Sequence, residues 1–183
     1  MKSSNGMPCN RFTSVRKLLP IFACAILAVA AAACGSGGCL ENGSTLPLAG
    51  LYSSSTDKEI AVDSLEVRGL GAPADSVLLS PGRGASKIYM PFRADYESVS
   101  WVFSIHTREL NYPELYDTIT FEYTTIPYFA SADCGALYIY RVDRFTTTTH
   151  LIDSVAITDP LFTNVDREQI RIYYRTAQEE PDL

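Results

Sequence analysis

The chain is poor in the groups that most chemistry uses: its 183 residues include two histidines and one tryptophan, and 15 Lys plus Arg stand against 21 Asp plus Glu. Each shortage excludes something. An acidic chain of pI near 4.9 lacks the clustered cations that neutralise phosphates, so nucleic acid is not an expected partner. His106 and His150 are the only imidazoles, and neither lies in a G-x-S-x-G elbow or an H-E-x-x-H helix. No Cys or His pair has zinc spacing, and no Asp-x-Asp-x-Asp-Gly loop is present. Ser55-Thr56-Asp57-Lys58 spells S-x-x-K but lacks the companion motifs that make it catalytic. No eleven-residue window carries a helical stripe. What the chain does have is 11 Tyr and 8 Phe, enough buriable apolar surface to exclude a disordered polymer.

Charge is absent from residues 18–33 while Lys2, Arg11, Arg16 and Lys17 precede them, the order of a secretory signal. That apolar run is shorter than the roughly 20 residues of a membrane-spanning helix. Ala31-Ala32-Ala33 then leads into Cys34 and the flexible Gly35-Ser36-Gly37-Gly38. This segment resembles the lipobox of bacterial lipoproteins, with Ala31 standing where Leu is usual. The resemblance implies cleavage before Cys34, acylation of its thiol, and, because Gly35 rather than Asp follows, delivery to the outer membrane. Ordinary cleavage that leaves a free Cys34 and an uncleaved anchor are the alternatives. The expected organisation is a signal peptide over 1–33, a tether over 34–44, a domain over 45–175 and an acidic, disordered tail over 176–183.

Removal of the leader changes two counts. Its four basic residues leave 11 basic against 21 acidic, a net charge of −10, which repels anionic lipid and leaves the anchor to hold the protein at a membrane. Of the five cysteines, Cys9 and Cys24 go with the leader and Cys34 is acylated, so Cys39 and Cys134 remain. In an exported chain these two are expected as a disulfide, the alternative being two separate buried thiols.

Period-two alternation runs through the remainder. Val99, Trp101, Phe103 and Ile105 share one face, as do Ile119, Phe121 and Tyr123, then Ile88, Met90 and Phe92, then Ile170, Ile172 and Tyr174, and more loosely Leu151, Val155 and Ile157. Segments 59–67, 77–80 and 136–142 are further candidates, the first with a bulge at Asp63-Ser64. About eight short strands between Gly, Pro, Asp and Ser clusters predict an all-β antiparallel immunoglobulin-like β-sandwich, with a small barrel as the alternative. Gly82-Arg83-Gly84 reads as a hairpin turn. Trp101 reads as core. The recurrences Asp63-Ser64-Leu65, Asp75-Ser76-Val77, Asp153-Ser154-Val155 and Asp117-Thr118-Ile119 mark strand starts, where Asp and Ser side chains bond nearby backbone.

Five stretches are similar to a family of small Bacteroidota-type lipoproteins of unknown function. They are C-L-E-N-G-S-T-L-P-L-A-G-L-Y (39–52), D-S-L-E-V-R-G-L-G-A-P (63–73), Y-F-A-S-A-D-C-G-A-L-Y (128–138), T-T-H-L-I-D-S-V (148–155) and N-V-D-R-E-Q-I-R-I-Y-Y-R (164–175). The resemblance supports the Cys39 and Cys134 pairing, each lying in one stretch, and implies no activity.

The expected function is therefore a lipid-anchored, non-enzymatic β-sandwich of the cell envelope, at the periplasmic or outer face of the outer membrane. It would bind or assist an envelope partner, with no catalytic residue, metal or cofactor. Glycan capture is the alternative, through Tyr112, Tyr116 and Tyr128 in loops 106–116 and 126–133, since aromatic faces stack on sugar rings. A hydrolase built on His150 and a carboxylate such as Asp153 is the remaining catalytic arrangement. Asp153, Asp159 and Asp166 are the oxygen donors available to a calcium site, against the plainer reading as solvated carboxylates.

Overall fold

The computed structural model describes residues 44–71, 76–132 and 135–176. Signal, tether up to residue 43, tail from 177, and Cys34, Cys39 and Cys134 lie outside the described residues. Ten strands follow in order: β1 (Leu48–Ser53), β2 (Leu65–Gly69), β3 (Val77–Leu79), β4 (Lys87–Tyr89), β5 (Ser98–Ile105), β6 (Asp117–Ser131), β7 (Gly135–Thr147), β8 (Ile152–Ile157), β9 (Leu161–Phe162) and β10 (Glu168–Tyr174). They form a four-stranded sheet of order β4-β1-β10-β8 and a six-stranded sheet of order β3-β2-β5-β6-β7-β9. All strand pairs are antiparallel except β1 with β10, which run parallel with Leu51 opposite Ile172. The two sheets do not close into a barrel, so the sandwich is the architecture.

The alternating residues do what their period requires. Ala49, Leu51, Ile88, Ile152, Ile170, Ile172 and Tyr174 from one sheet meet Leu65, Val67, Trp101, Phe103, Ile105, Ile119, Phe121, Tyr140 and Phe162 from the other in a single core. Phe92 lies at the centre of an aromatic cluster, its ring 4.6 Å from Tyr123, 5.4 Å from both Phe121 and Phe162 and 5.5 Å from Tyr140. The tyrosine hydroxyls then fix the backbone beside it. Tyr140 donates to the carbonyl of Phe92, and Tyr123 donates to the carbonyl of Arg93 at 2.9 Å while accepting from the Arg93 N–H.

Four local expectations need correction. Segment 59–67 is not one bulged strand: Glu59 bridges Tyr52, Val62 bridges Ala85, and a turn with Ser64 at φ +56° precedes β2. Gly82-Arg83-Gly84 is not a hairpin turn, because β3 and β4 belong to different sheets and the segment crosses between them. Residues 126–131 are not a loop but the outer half of β6, paired across to β7. Asp153-Ser154 lies inside β8 rather than at its start. Strands β1 and β9 carry no alternation in sequence, β1 because Gly50 interrupts it. A Cβ at Gly50 would collide with the Glu168 carboxylate and the Tyr52 ring packed over it.

That carboxylate accepts from the Tyr52 hydroxyl at 2.8 Å, and burial together with this bond pushes the phenol up to about 12. Burial also raises Tyr123 and Tyr140, and raises Tyr174, which feels the charge of Asp117 besides. In the folded state these phenols keep protons that the unfolded chain loses above its ordinary value of 10.0. Stability is thus complete below that pH and falls as pH rises beyond it. The expected outcome is two classes of tyrosine in a phenolate-absorbance titration, the buried class ionising only as circular dichroism reports unfolding. One smooth transition at the ordinary value with the fold intact would contradict the packing.

Candidate functional site

The acid at the start of β6 is the most heavily bonded side chain of the domain. Asp117 is 1% exposed. Its Oδ1 accepts from the Thr148 hydroxyl and the His150 N–H, both at 2.8 Å, and its Oδ2 from the N–H groups of Leu151 and Ile152, both at 2.7 Å. A buried carboxylate is tolerated only when donors replace its lost water, and here four do so. These bonds shape the β7–β8 connection and thereby place His150, whose Nδ1 lies 3.2 Å from Asp117 Oδ1 and 3.0 Å from the Tyr116 carbonyl. Such contacts favour a proton on Nδ1.

The carboxylate partner of His150 is therefore Asp117 and not Asp153, which pairs with Arg175 at 3.3 Å. The imidazole bonds through Nδ1, and His150 lines neither of the two cavities described below. His106 faces Ser104 at 3.2 Å and Glu66 at 3.5 Å.

The three candidate tyrosines do not converge. Tyr112 and Tyr116 share the β5–β6 connection around a 3-10 turn at Pro113–Leu115, where Tyr116 donates to Asn111 at 2.7 Å. Tyr128 is on β6, eleven residues beyond Asp117, or about 36 Å along an extended strand at roughly 3.3 Å per residue. The three acids of the proposed calcium set are likewise apart: Asp159 pairs with Arg167, Asp166 accepts from Tyr89 at 2.9 Å, and Asp153 holds Arg175. Among the described residues no group of three His, Cys, Asp or Glu is arranged to hold a metal ion.

A site that sequence patterning did not indicate lies beside β5 and β6. Because Tyr123 fixes Arg93 and its own N–H donates to the Glu97 carbonyl at 2.9 Å, the 93–98 turn is held rigidly against the sheet. The turn presents Tyr96, 48% exposed, with the Arg93 guanidinium 3.9 Å from its ring centroid. Tyr96 stands between two cavities. One, of about 810 Å³, is lined by Asp95, Glu97, Thr120, Glu122 and Asp143. The other, of about 470 Å³, is lined by Leu70, Arg93, Val99 and Trp101, and the buried indole N–H of Trp101 has no acceptor among the described residues. Hydrogen bonding from Thr124, with Arg141 alongside, lowers the pKa of Asp143, so the larger cavity keeps an ionised acid at neutral pH.

Fold and site together define a two-sheet β-sandwich with an open polar cleft on its six-stranded sheet. No curated protein and no solved structure matches the chain. Residues 64–174 match DUF6452, a family of unknown function, and the chain belongs to that family. The matched segment runs from the turn before β2 to the end of β10 and so contains Asp117, Tyr96 and His150.

Asp117→Ala leaves three backbone N–H groups unpaired in a buried setting, each costing about 1–3 kcal/mol. Denaturant unfolding of this variant is expected to show a loss of at least about 3 kcal/mol, with His150→Ala costing well under half as much. Near-equal losses would remove Asp117 from its structural role.

Proposed function

We propose that this protein is a lipid-anchored, non-enzymatic module of the cell envelope, tethered at the outer membrane through acylated Cys34, whose β-sandwich binds or assists an envelope partner. The observation that carries the reading is the N-terminal order of basic residues, uncharged 18–33, three alanines and Cys34. Position in the chain supports it: β1 begins at Leu48, so a short Gly- and Ser-containing tether separates the anchor from the sandwich. The use made of Asp117 supports the non-enzymatic part, since its oxygens are taken up by the β7–β8 backbone. Metabolic labelling with an acyl-chain analogue tests the anchor. The wild type is expected to carry label and to float with membranes, and Cys34→Ser to do neither. A Cys34→Ser variant that still carried label would overturn the assignment.

Glycan capture is the second reading, and a specific observation favours it at Tyr96 rather than at the three tyrosines. An aromatic face held between two cavities, with acceptors at Asp95, Thr120 and Asp143, suits a polyhydroxylated ligand. Glycan-array screening of the exported protein is expected to give a binder that Tyr96→Ala weakens at least about tenfold, equivalent to 1.4 kcal/mol. Binding unaffected by Tyr96→Ala, or binding to no polysaccharide, would discard this reading.

A further inference from the structure

Strands β6 and β7 outrun their sheet. β5 pairs with β6 from Asp117 to Glu122, and β9 pairs with β7 at Tyr140 and Arg141. Beyond those points residues 126–131 and 135–139 pair only with one another among the described residues, a two-stranded arm of about 17 Å at roughly 3.3 Å per residue. Its composition is unlike the rest of the chain. Between positions 125 and 140 only Asp133 is charged, whereas charged residues make up 20% of the chain.

Both faces of the arm are apolar. Pro127 is opposite Tyr138 and Phe129 opposite Ala136 on the face that continues the core, while Tyr128 is opposite Leu137 on the other. Phe129 is 68% exposed, Tyr138 49% and Tyr128 43%. Leu137 and Ile139 are buried, but three exposed rings on one short arm mark a contact surface. Rings with polar tips beside a fully apolar Phe match the zone between headgroups and acyl chains, where Tyr and Trp concentrate.

Thr45 donates its hydroxyl to the carbonyl of Tyr138 at 2.7 Å, so the polypeptide enters the domain against the arm. Ten residues lie between Cys34 and Thr45, so at most about 38 Å of chain joins them. Charge favours the same end, because an acidic domain approaches anionic lipid most easily through its uncharged part. A further strand from a second copy is disfavoured along this edge, since Pro127 can offer it no N–H.

We infer that the β6–β7 arm is the membrane-facing end of the domain, with Tyr128, Phe129 and Tyr138 seated in the interfacial zone of the bilayer that holds the acyl chains of Cys34. This rests on the lipid-anchor reading. The interfacial zone is wet, so backbone groups on the outer edge of β6 bond water there, as they could not in the hydrocarbon core.

Full-length acylated protein is reconstituted into phosphatidylcholine vesicles containing brominated phosphatidylcholine. Three variants are compared with wild type, whose Trp101 supplies a buried background: Phe129→Trp, Tyr138→Trp, and Tyr112→Trp at the far end of β6. The indoles at 129 and 138 are expected to be blue-shifted and quenched at least twofold, and that at 112 to be unaffected. Equal quenching at all three positions, or none at 129 and 138 in protein that floats and carries acyl label, overturns the arm's role and leaves the anchor standing. A blue shift at 129 that depends on added envelope protein and not on lipid assigns the arm to a protein partner and overturns it too. Failure of the wild type to float or take label instead overturns the anchor and this inference with it.

Discussion

The sandwich is closed at one end by the desolvation of a single carboxylate. Burying Asp117 obliges the fold to supply donors, and the donors available are consecutive backbone N–H groups of the segment that leaves the six-stranded sheet for the four-stranded one. Meeting that demand fixes the angle at which β8 begins. Thr148 is caught between the same strands, since its hydroxyl donates to Asp117 and accepts from the Thr118 N–H. Ile152, the first residue of β8, is fully buried and seats the second sheet on the core. The position of His150 follows from this backbone geometry, which is why a histidine beside an aspartate here reads as a consequence of folding.

The opposite end is built on other physics. There the Phe92 cluster fills the space between the sheets, and the hydroxyls of Tyr123 and Tyr140 tie the segment after β4 to the middle of β6 and β7. This packing gives the 93–98 turn its rigidity and so presents Tyr96. Beyond Tyr123 and Tyr140 the opposing sheet no longer covers the apolar face of the hairpin. The same face that is core at Tyr123 is therefore surface at Phe129.

Strands β4, β5, β8, β10 and the inner half of β6 were legible as period-two alternation, and three further candidate segments overlap β2, β3 and β7. Strand β1 was not, since Gly50 breaks the pattern to admit Glu168 and Tyr52, and its parallel pairing with β10 leaves no local turn signal. Two-residue β9 is too short for a period to exist. Asp117 was visible as one of four similar tripeptides, yet its importance depends on partners more than thirty residues away. Tyr96 was invisible because nothing in the local sequence distinguishes an aromatic residue fixed by Tyr123 from one in an ordinary loop.

The reading of 126–133 as a loop is the instructive failure. Alternation identifies a strand only when water bathes one face, and in this arm Tyr128 and Phe129, adjacent and on opposite faces, are both apolar and both exposed. Continuous apolar strands belong to sheets covered on both sides, but the opposing sheet does not reach this far and nothing among the described residues covers Phe129. Leu137 and Ile139 across the hairpin are buried, so its uncovered apolar surface is that of Tyr128, Phe129 and Tyr138. The absence of the period is thus informative about the environment of the hairpin, as its presence elsewhere is informative about the core.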